Sequence, residues 1–559
     1  MVKIAFHATS KNIILLLAIL IGTGCAVQQA PTASSNLGDV VQRQAQSSPF
    51  VDVSAAAGIT ATHRAFFKMD AKTGYLGIGQ AWGDYDNDGW VDLCVTGNLD
   101  PNVLYHNNQD GTFSISTLSP QVSLPESTSG GVTWADYNND GWLDLYVINA
   151  EANVIFHNDR GIGFQDVTAR AGVGDTGKGQ SAAWGDYDND GLLDLYVVNW
   201  SCMPECKPVD FALHQDRLYH NNGDGTFTDV SDSLPYPKTL GSGFAGSFLD
   251  YDNDGDLDIY VVNDEYKNSI GNVLWRNDGP ATNNDQCGAW CWSDGSDDSG
   301  AGIVISGMGL AIADYDNDGD LDTYFTNMVR PMALLQNQGD GTFINVEEAA
   351  GVGVHENSVV GWGPLFFDIN NDGWQDLFLA ASTTEPRKFE PGGMQDMHYP
   401  RINYLFYNLG DGTFINGTPA QWFTNQQVSM GAAYADYDND GWVDFVVGNW
   451  NEGYTLFRNS GRQGKVGTPS NHHWFAANLV GADGMNRNAI GARIYLTTTD
   501  GQTQMQEVQS GSSLGAGNAL TLYFGLGTAE IEEVEIVWPD GVSHIYPTMA
   551  SDRIWWIYR

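Results

Sequence analysis

Asp84-Tyr85-Asp86-Asn87-Asp88-Gly89-Trp90-Val91-Asp92 decides the fold. Acidic side chains fall at positions 1, 3, 5 and 9, and glycine stands at position 6. Oxygen donors on alternate residues converge on one hard cation when the chain wraps around it, and the glycine permits the sharp turn. Position 7 adds a backbone carbonyl, here from Trp90. Crowded without an ion, the four carboxylates repel one another; a divalent cation removes the conflict.

The pattern recurs seven times. The second copy supplies Asp136, Asn138, Asp140, Trp142 and Asp144. The third supplies Asp186, Asp188, Asp190, Leu192 and Asp194. Asp250, Asp252, Asp254, Asp256 and Asp258 form the fourth, and Asp314, Asp316, Asp318, Asp320 and Asp322 the fifth. The sixth is Asp368, Asn370, Asp372, Trp374 and Asp376; the last is Asp436, Asp438, Asp440, Trp442 and Asp444. Asn138 and Asn370 make two loops weaker. Calcium suits such a flexible all-protein oxygen cage better than magnesium, which retains its waters, so up to seven Ca²⁺ are predicted. These are not EF-hands: the glutamate at position 12 is missing and the flanks read as strands.

Each loop lies between a short segment such as Trp82-Gly83 or Trp184-Gly185 and an apolar run such as Leu145-Tyr-Val-Ile148 or Leu195-Tyr-Val-Val198, which suit buried strands. A third segment ends on a recurring asparagine (Asn107, Asn158, Asn221, Asn277, Asn337, Asn408, Asn459). Asp-Gly turns such as Asp110-Gly111 and Asp224-Gly225 lead to a fourth, placed at Asp166-Val-Thr168 and Asp229-Val-Ser231. Repeated four-stranded units of this size indicate a radial β-propeller. The fold class is therefore all-β, a seven-bladed propeller over 50–462 followed by a small C-terminal β-sandwich-like domain over 471–559. The last repeat lacks its fourth strand, and Phe50-Val-Asp-Val-Ser54 is predicted to supply it and hide an edge. Calcium loops and Asp-Gly turns should share one face. Insertions at 201–217 and 382–402 should project from the other, while one at 279–304 has no firm place.

The repeats resemble FG-GAP/VCBS repeats, the type that builds the integrin α propeller. Asn471-His-His-Trp474, Asn488-Ala-Ile-Gly-Ala-Arg493, Ser510-Gly-Ser-Ser513, Leu522-Tyr-Phe-Gly-Leu-Gly527 and Val534-Glu-Ile-Val-Trp-Pro-Asp-Gly541 resemble the ASPIC/UnbV domain. The pairing is similar to bacterial relatives of cartilage acidic protein. It implies an extracellular calcium-binding protein of a family with no established enzymatic mechanism. The UnbV name adds an accessory role in biosynthesis as a lesser implication.

Residues 1–25 read as an export signal, with Lys3 and Lys11 before a nine-residue apolar core, Ile13 to Ile21, too short to span a membrane. Gly22-Thr23-Gly24-Cys25 resembles a lipobox in which Cys25 is lipidated, giving an outer-membrane or cell-surface lipoprotein; ordinary cleavage near Ala26 and secretion is the alternative. Residues 26–49 read as a flexible linker. The net charge of −44, much of it in the loops, argues against nucleic acid and anionic lipid as partners. A membrane is reached only through the lipid anchor. Export favours disulfides for Cys202, Cys206, Cys287 and Cys291, either closed within each insertion or cross-linked between them, with a Cys₄ zinc site as a lesser reading. Cys94 reads as a buried apolar residue.

No catalytic motif stands out. His106, His157 and His220 hold equivalent positions, which argues for a structural role. The leading expectation is a surface binding or adhesion module for a glycan or an extracellular protein. A polysaccharide-acting enzyme using a propeller cleft and a purely structural envelope scaffold are the alternatives. The insertion face carries the partner-binding candidates Lys207, Arg387, Lys388, Tyr399 and Arg401. Trp200, Trp290, Trp292 and Tyr399 are candidates for stacking on sugars.

Overall fold

In the first repeat Gln80–Gly83, Asp92–Val95, Val103–Asn107 and Phe113–Ile115 pair in chain order as an antiparallel sheet. The first two strands are wholly buried, whereas the fourth buries only Phe113. This gradient follows from radial packing: inner strands are covered by neighbouring sheets on both faces, so they read as continuous apolar runs rather than alternating ones. Small residues line the axis because backbones converge there; a Cβ on Gly79 would lie 2.7 Å from the Cα of Gly131.

The computed structural model describes residues 48–65, 75–200, 215–235, 241–264, 270–282, 287–328, 331–355, 359–383, 403–419, 422, 427–461 and 471–559. Among them seven four-stranded sheets repeat this plan. Each innermost strand packs on the next, and Gln80–Gly83 packs on Ser429–Ala435, closing the ring. The Trp82 indole N–H donates across that closure to the Ala433 carbonyl at 3.2 Å, and its ring stacks on Tyr437 at 6.3 Å. Phe50–Asp52 pairs with Gly453–Asn459, Phe50 opposite Asn459, and completes the seventh sheet.

Two strand expectations are corrected. The fourth strands are Phe164–Asp166 and Phe227–Asp229, ending where the sequence reading began them. Asp166 and Asp229 instead accept from the backbone N–H of Thr168 and Ser231, turning the chain into a short helical segment. The fourth repeat does have a fourth strand: Trp290–Asp294 pairs with Val273–Pro280, so its extra residues sit in the 3–4 turn on the loop face. Cys287 and Cys291 are disulfide-bonded to each other there, with Cα atoms 5.2 Å apart. Cys94 is buried and free, its thiol pushed up to about 12 by desolvation.

Beyond the propeller, Leu522–Gly527, His473–Val480 and Ile554–Tyr558 form a three-stranded sheet in that order. Thr503–Glu507, Arg493–Thr498, Ile531–Val537 and Ser543–Pro547 form a four-stranded one. These sheets belong with the propeller to one unit within Val41–Arg559. The segment 510–519 enters the propeller axis. Trp82 N–H donates to the Gly517 carbonyl and Gly517 N–H to that of Gln80, both at 3.0 Å. Val132 N–H reaches Gly515 O, and Ser513 N–H reaches Leu310 O. Innermost strands have a free edge facing the axis, and this segment occupies the unpaired groups of several of them. Leu514 is fully buried in one cluster with Ile78, Phe244, Trp362 and Met430.

Among the described residues no helix is long and apolar enough to cross a membrane. The export signal with Cys25, most of the 26–49 linker, both Cys202 and Cys206, and Lys207, Arg387, Lys388, Tyr399 and Arg401 lie outside the described residues.

Candidate metal loops and the face they build

In every loop the first aspartate folds the chain back on itself. Its two carboxylate oxygens accept from the N–H groups of positions 5 and 6 at 2.7–3.3 Å. Glycine at position 6 has φ of 85–93°. Asparagine at position 4, a regularity the sequence reading passed over, is left-handed as well, with φ of 53–59°; asparagine is among the few residues that tolerate this.

That asparagine also joins the loops to one another. Asn87 Nδ2 donates to Gly141 O, Asn139 to Gly191 O, Asn189 to Asp256 Oδ1 and Asn253 to Asp320 Oδ1. Asn317 then reaches Gly373 O, Asn371 reaches Gly441 O, and Asn439 returns to Gly89 O at 3.5 Å. A second circuit runs the other way. The recurrent third-strand asparagine donates its N–H to the position-9 aspartate of its own loop at 2.6–2.8 Å. Its side-chain amide donates to the position-2 carbonyl of the preceding sheet, Asn107 reaching Tyr437 across the closure. Each loop is thus tied to both neighbours.

The donor set fits a cation. Asp84, Asp86 and Asp88 bring carboxylate oxygens within 4.8 Å of one another, as do Asp186, Asp188 and Asp190, and Asp250, Asp252 and Asp254. In all five loops with aspartate at position 3, one of its oxygens is buried without a hydrogen-bond partner: Oδ1 of Asp86, Asp188, Asp252, Asp316 and Asp438. A buried acceptor without a partner, set among other carboxylates, is a place a cation can fill. In the two loops with asparagine there, Asn138 and Asn370 donate to Asp140 and Asp372 at 3.2 and 2.8 Å, so the loop partly satisfies itself. The position-7 side chains of Trp142, Leu192 and Trp374 lie over the 3–4 turn glycines of their own sheets, and that of Trp442 over Gly461, just past the third strand of the seventh.

Third-strand side chains add to these clusters. His106 Nδ1 lies 3.2 Å from Asp86, His157 Nδ1 3.0 Å from Asp144, and His220 Nδ1 3.2 Å from Asp194. In the seventh sheet Arg458 holds both Asp438 and Asp440.

Burial dominates the loop electrostatics. Desolvation pushes Asp92 up to about 9, Asp186 and Asp314 to about 8 and Asp84 to about 6, against an ordinary 3.8. Carboxyls raised by folding stabilise the protein below the ordinary value and lose that contribution as pH rises through the folded value. Metal-free protein is therefore expected to melt at progressively lower temperature from pH 5 to pH 9, and calcium is expected to flatten the profile. Thermal melts after dialysis against chelator check this; a flat metal-free profile would contradict it.

The loop face is not bare. The C-terminal sheets cover it: Asn488 Oδ1 accepts from Asp136 N–H at 2.7 Å, and Asn139 Oδ1 from Arg487 N–H at 2.8 Å. Gln502 Nε2 donates to Gly373 O, Gly527 N–H to Asn371 O, and Asp436 N–H to the Tyr523 hydroxyl. Arg493 reaches Asp250 and Asn253. The stacking candidates are corrected. Trp200 and Trp292 are only 4% and 6% exposed, and half-buried Trp290 donates to Asn277 Oδ1 at 2.6 Å. Among the described residues the exposed aromatic side chains lie on the last strand, Trp556 at 49% and Tyr558 at 62%.

Residues 84–147, 136–197, 210–261, 250–325, 314–379 and 393–447 match the FG-GAP-like repeat, and 482–558 match ASPIC and UnbV. Human cartilage acidic protein 1 is 23% identical over 529 residues, covering 84% of this chain and 70% of the relative. The mouse protein is 24% identical over 542 residues, covering 87% and 74%. A solved structure of an Agrocybe aegerita lectin that recognises non-reducing terminal N-acetylglucosamine aligns with 63% of this chain and 82% of its own, at 18% identity and a TM-score of 0.38.

Proposed function

Because the chain belongs to the FG-GAP-like repeat family, we propose that it is an exported calcium-binding propeller that serves as a binding module for a glycan or protein partner. The orphaned position-3 oxygens carry this reading: five buried carboxylate atoms without partners call for a cation in each of five loops. Aspartates at positions 1, 3, 5 and 9 would hold the ion, with the position-7 carbonyl completing an all-oxygen set suited to calcium. The loops built on Asn138 and Asn370 bind last, since each has one carboxylate fewer. The ions neutralise the ring of acidic loops and brace the platform on which the C-terminal sheets rest. No step of chemistry is assigned to any residue. Export is supported by the Cys287–Cys291 disulfide, a bond that persists in oxidising compartments, and Cys25 remains the proposed lipid attachment point.

Metal analysis tests the assignment. Wild-type protein equilibrated in millimolar calcium is expected to hold up to seven ions, and Asp186→Ala one fewer. Equal stoichiometry in the two would remove loop 3 from the set. A glycan array run with and without calcium tests the binding role.

A further inference from the structure

The C-terminal sheets stop short of the first loop. Among the described residues no hydrogen bond joins them to 84–92, and a cleft of about 510 Å³ opens there. Asp84 and Asp88 line its propeller side; Asn478, Arg487, Trp556 and Tyr558 line the other. We propose that this cleft binds an acidic saccharide, its carboxylate on Arg487 and its rings on Trp556 and Tyr558, with a calcium ion in the first loop as a requirement. This deepens the binding-module reading and rests on it.

Arg487 is the first reason. Its guanidinium has no hydrogen bond or ion pair among the described residues, although the chain carries a net charge of −44 and only 25 basic side chains. Its neighbours in the C-terminal sheets are committed: Arg493 to Glu507 and Asp250, Arg559 to Asp540. An unpaired, half-buried guanidinium offers its planar fork to a carboxylate.

The aromatic pair is the second. Ile554–Tyr558 is an edge strand of its sheet. Ile557 is buried, so alternation turns Trp556 and Tyr558 to the opposite face together, about 6.6 Å apart along the strand. Large flat faces left in water beside a cleft lined by Asn478 and Arg487 suit the apolar faces of successive pyranose rings. Asn478 accepts from Thr521 Oγ1 at 2.6 Å, which leaves its –NH₂ to donate to a sugar hydroxyl. An acidic peptide would more readily add along the open strand edge than lie on this face. The loop carboxylates supply the calcium requirement. Asp84 and Asp88 repel an anionic ligand until a cation neutralises them.

The test is calorimetric titration of the full chain in 5 mM-range calcium with a glucuronate-containing hexasaccharide, its carboxyl-reduced counterpart and hexaglutamate. The intact hexasaccharide is expected to bind. Arg487→Ala, Trp556→Ala, carboxyl reduction and chelation should each weaken it at least tenfold, with Tyr558→Ala as a second aromatic variant. Melting temperature and calcium content should be unchanged in the variants. Undiminished affinity in the arginine and aromatic variants, hexaglutamate binding as tightly as the saccharide, or no saccharide binding at all would overturn the proposal. A partner found on the array that ignores Arg487 and Trp556 would overturn this site while leaving the binding-module reading intact; a protein without calcium would remove that reading itself.

Discussion

Stripping divalent metal is expected to lower the melting temperature by on the order of 10 °C relative to protein in ~10 mM calcium. An ion that binds only the folded state adds RT ln(1 + [L]/Kd), about 1.4 kcal/mol per site at ten times Kd. Extracellular sites of this type have Kd of roughly 10⁻⁴–10⁻³ M. Five to seven such sites add roughly 7–10 kcal/mol, and a folded unit of about 500 residues shifts by roughly 1 °C per kcal/mol. The effect should be cooperative around the ring, because Asn87, Asn139, Asn189, Asn253, Asn317, Asn371 and Asn439 join each loop to the next. Calorimetry at graded calcium checks it. An unchanged melt in excess chelator, with metal content verified as zero, would sink the calcium assignment.

The repeat was legible because its constraints are local. A loop whose first aspartate accepts from two backbone N–H groups and whose fourth and sixth residues are left-handed fixes an aspartate, an asparagine and a glycine within nine residues. The strands on either side must be apolar to lie between sheets. Asp166-Val-Thr168 reads as a fourth strand because a residue that caps a turn and one that ends a strand look alike in sequence when both are followed by a β-branched pair. What the sequence could not disclose is long-range. Asn488 meets Asp136 from 352 positions away, and Arg487 meets Asn139 from 348. Nothing local marks a glycine- and serine-rich segment such as 510–518 as the filling of a propeller axis. It reads as an ordinary loop until the free inner edges of several sheets surround it. The same holds for the tryptophans. Trp200 closes a core, whereas Trp556 stands on a sheet edge, and residue type alone does not separate the two.

Arg493→Ala is expected to loosen the C-terminal sheets from the propeller at a cost of about 3–5 kcal/mol. Arg493 is only 7% exposed and has three partners, Glu507 on its own sheet and Asp250 and Asn253 on the propeller. Its Nε donates to Glu507 Oε2 at 2.9 Å, one terminal nitrogen donates to the Asp250 carbonyl at 2.7 Å, and the other to Asn253 Oδ1. Glu507 is itself buried, and desolvation lifts its carboxyl to about 7 even with Arg493 lowering it. Removing the guanidinium leaves that carboxylate without its counter-charge, and the penalty is chiefly the uncompensated buried charge. Lysine should not rescue the variant, because an ammonium lacks the planar fork that spans the three acceptors. Arg493→Met combined with Glu507→Leu should recover most of the loss, since an apolar pair leaves no unpaired charge. The pH dependence has a definite sign. With Glu507 pushed higher still, its protonated form is favoured in the fold, so stability falls as pH rises. The deficit of Arg493→Ala against wild type should therefore grow between pH 5 and pH 8. Hydrogen exchange across 503–519 and the melting temperature at the two pH values measure it; wild-type protection and a pH-independent melt in the alanine variant would show that the buried pair does not hold the C-terminal sheets in place.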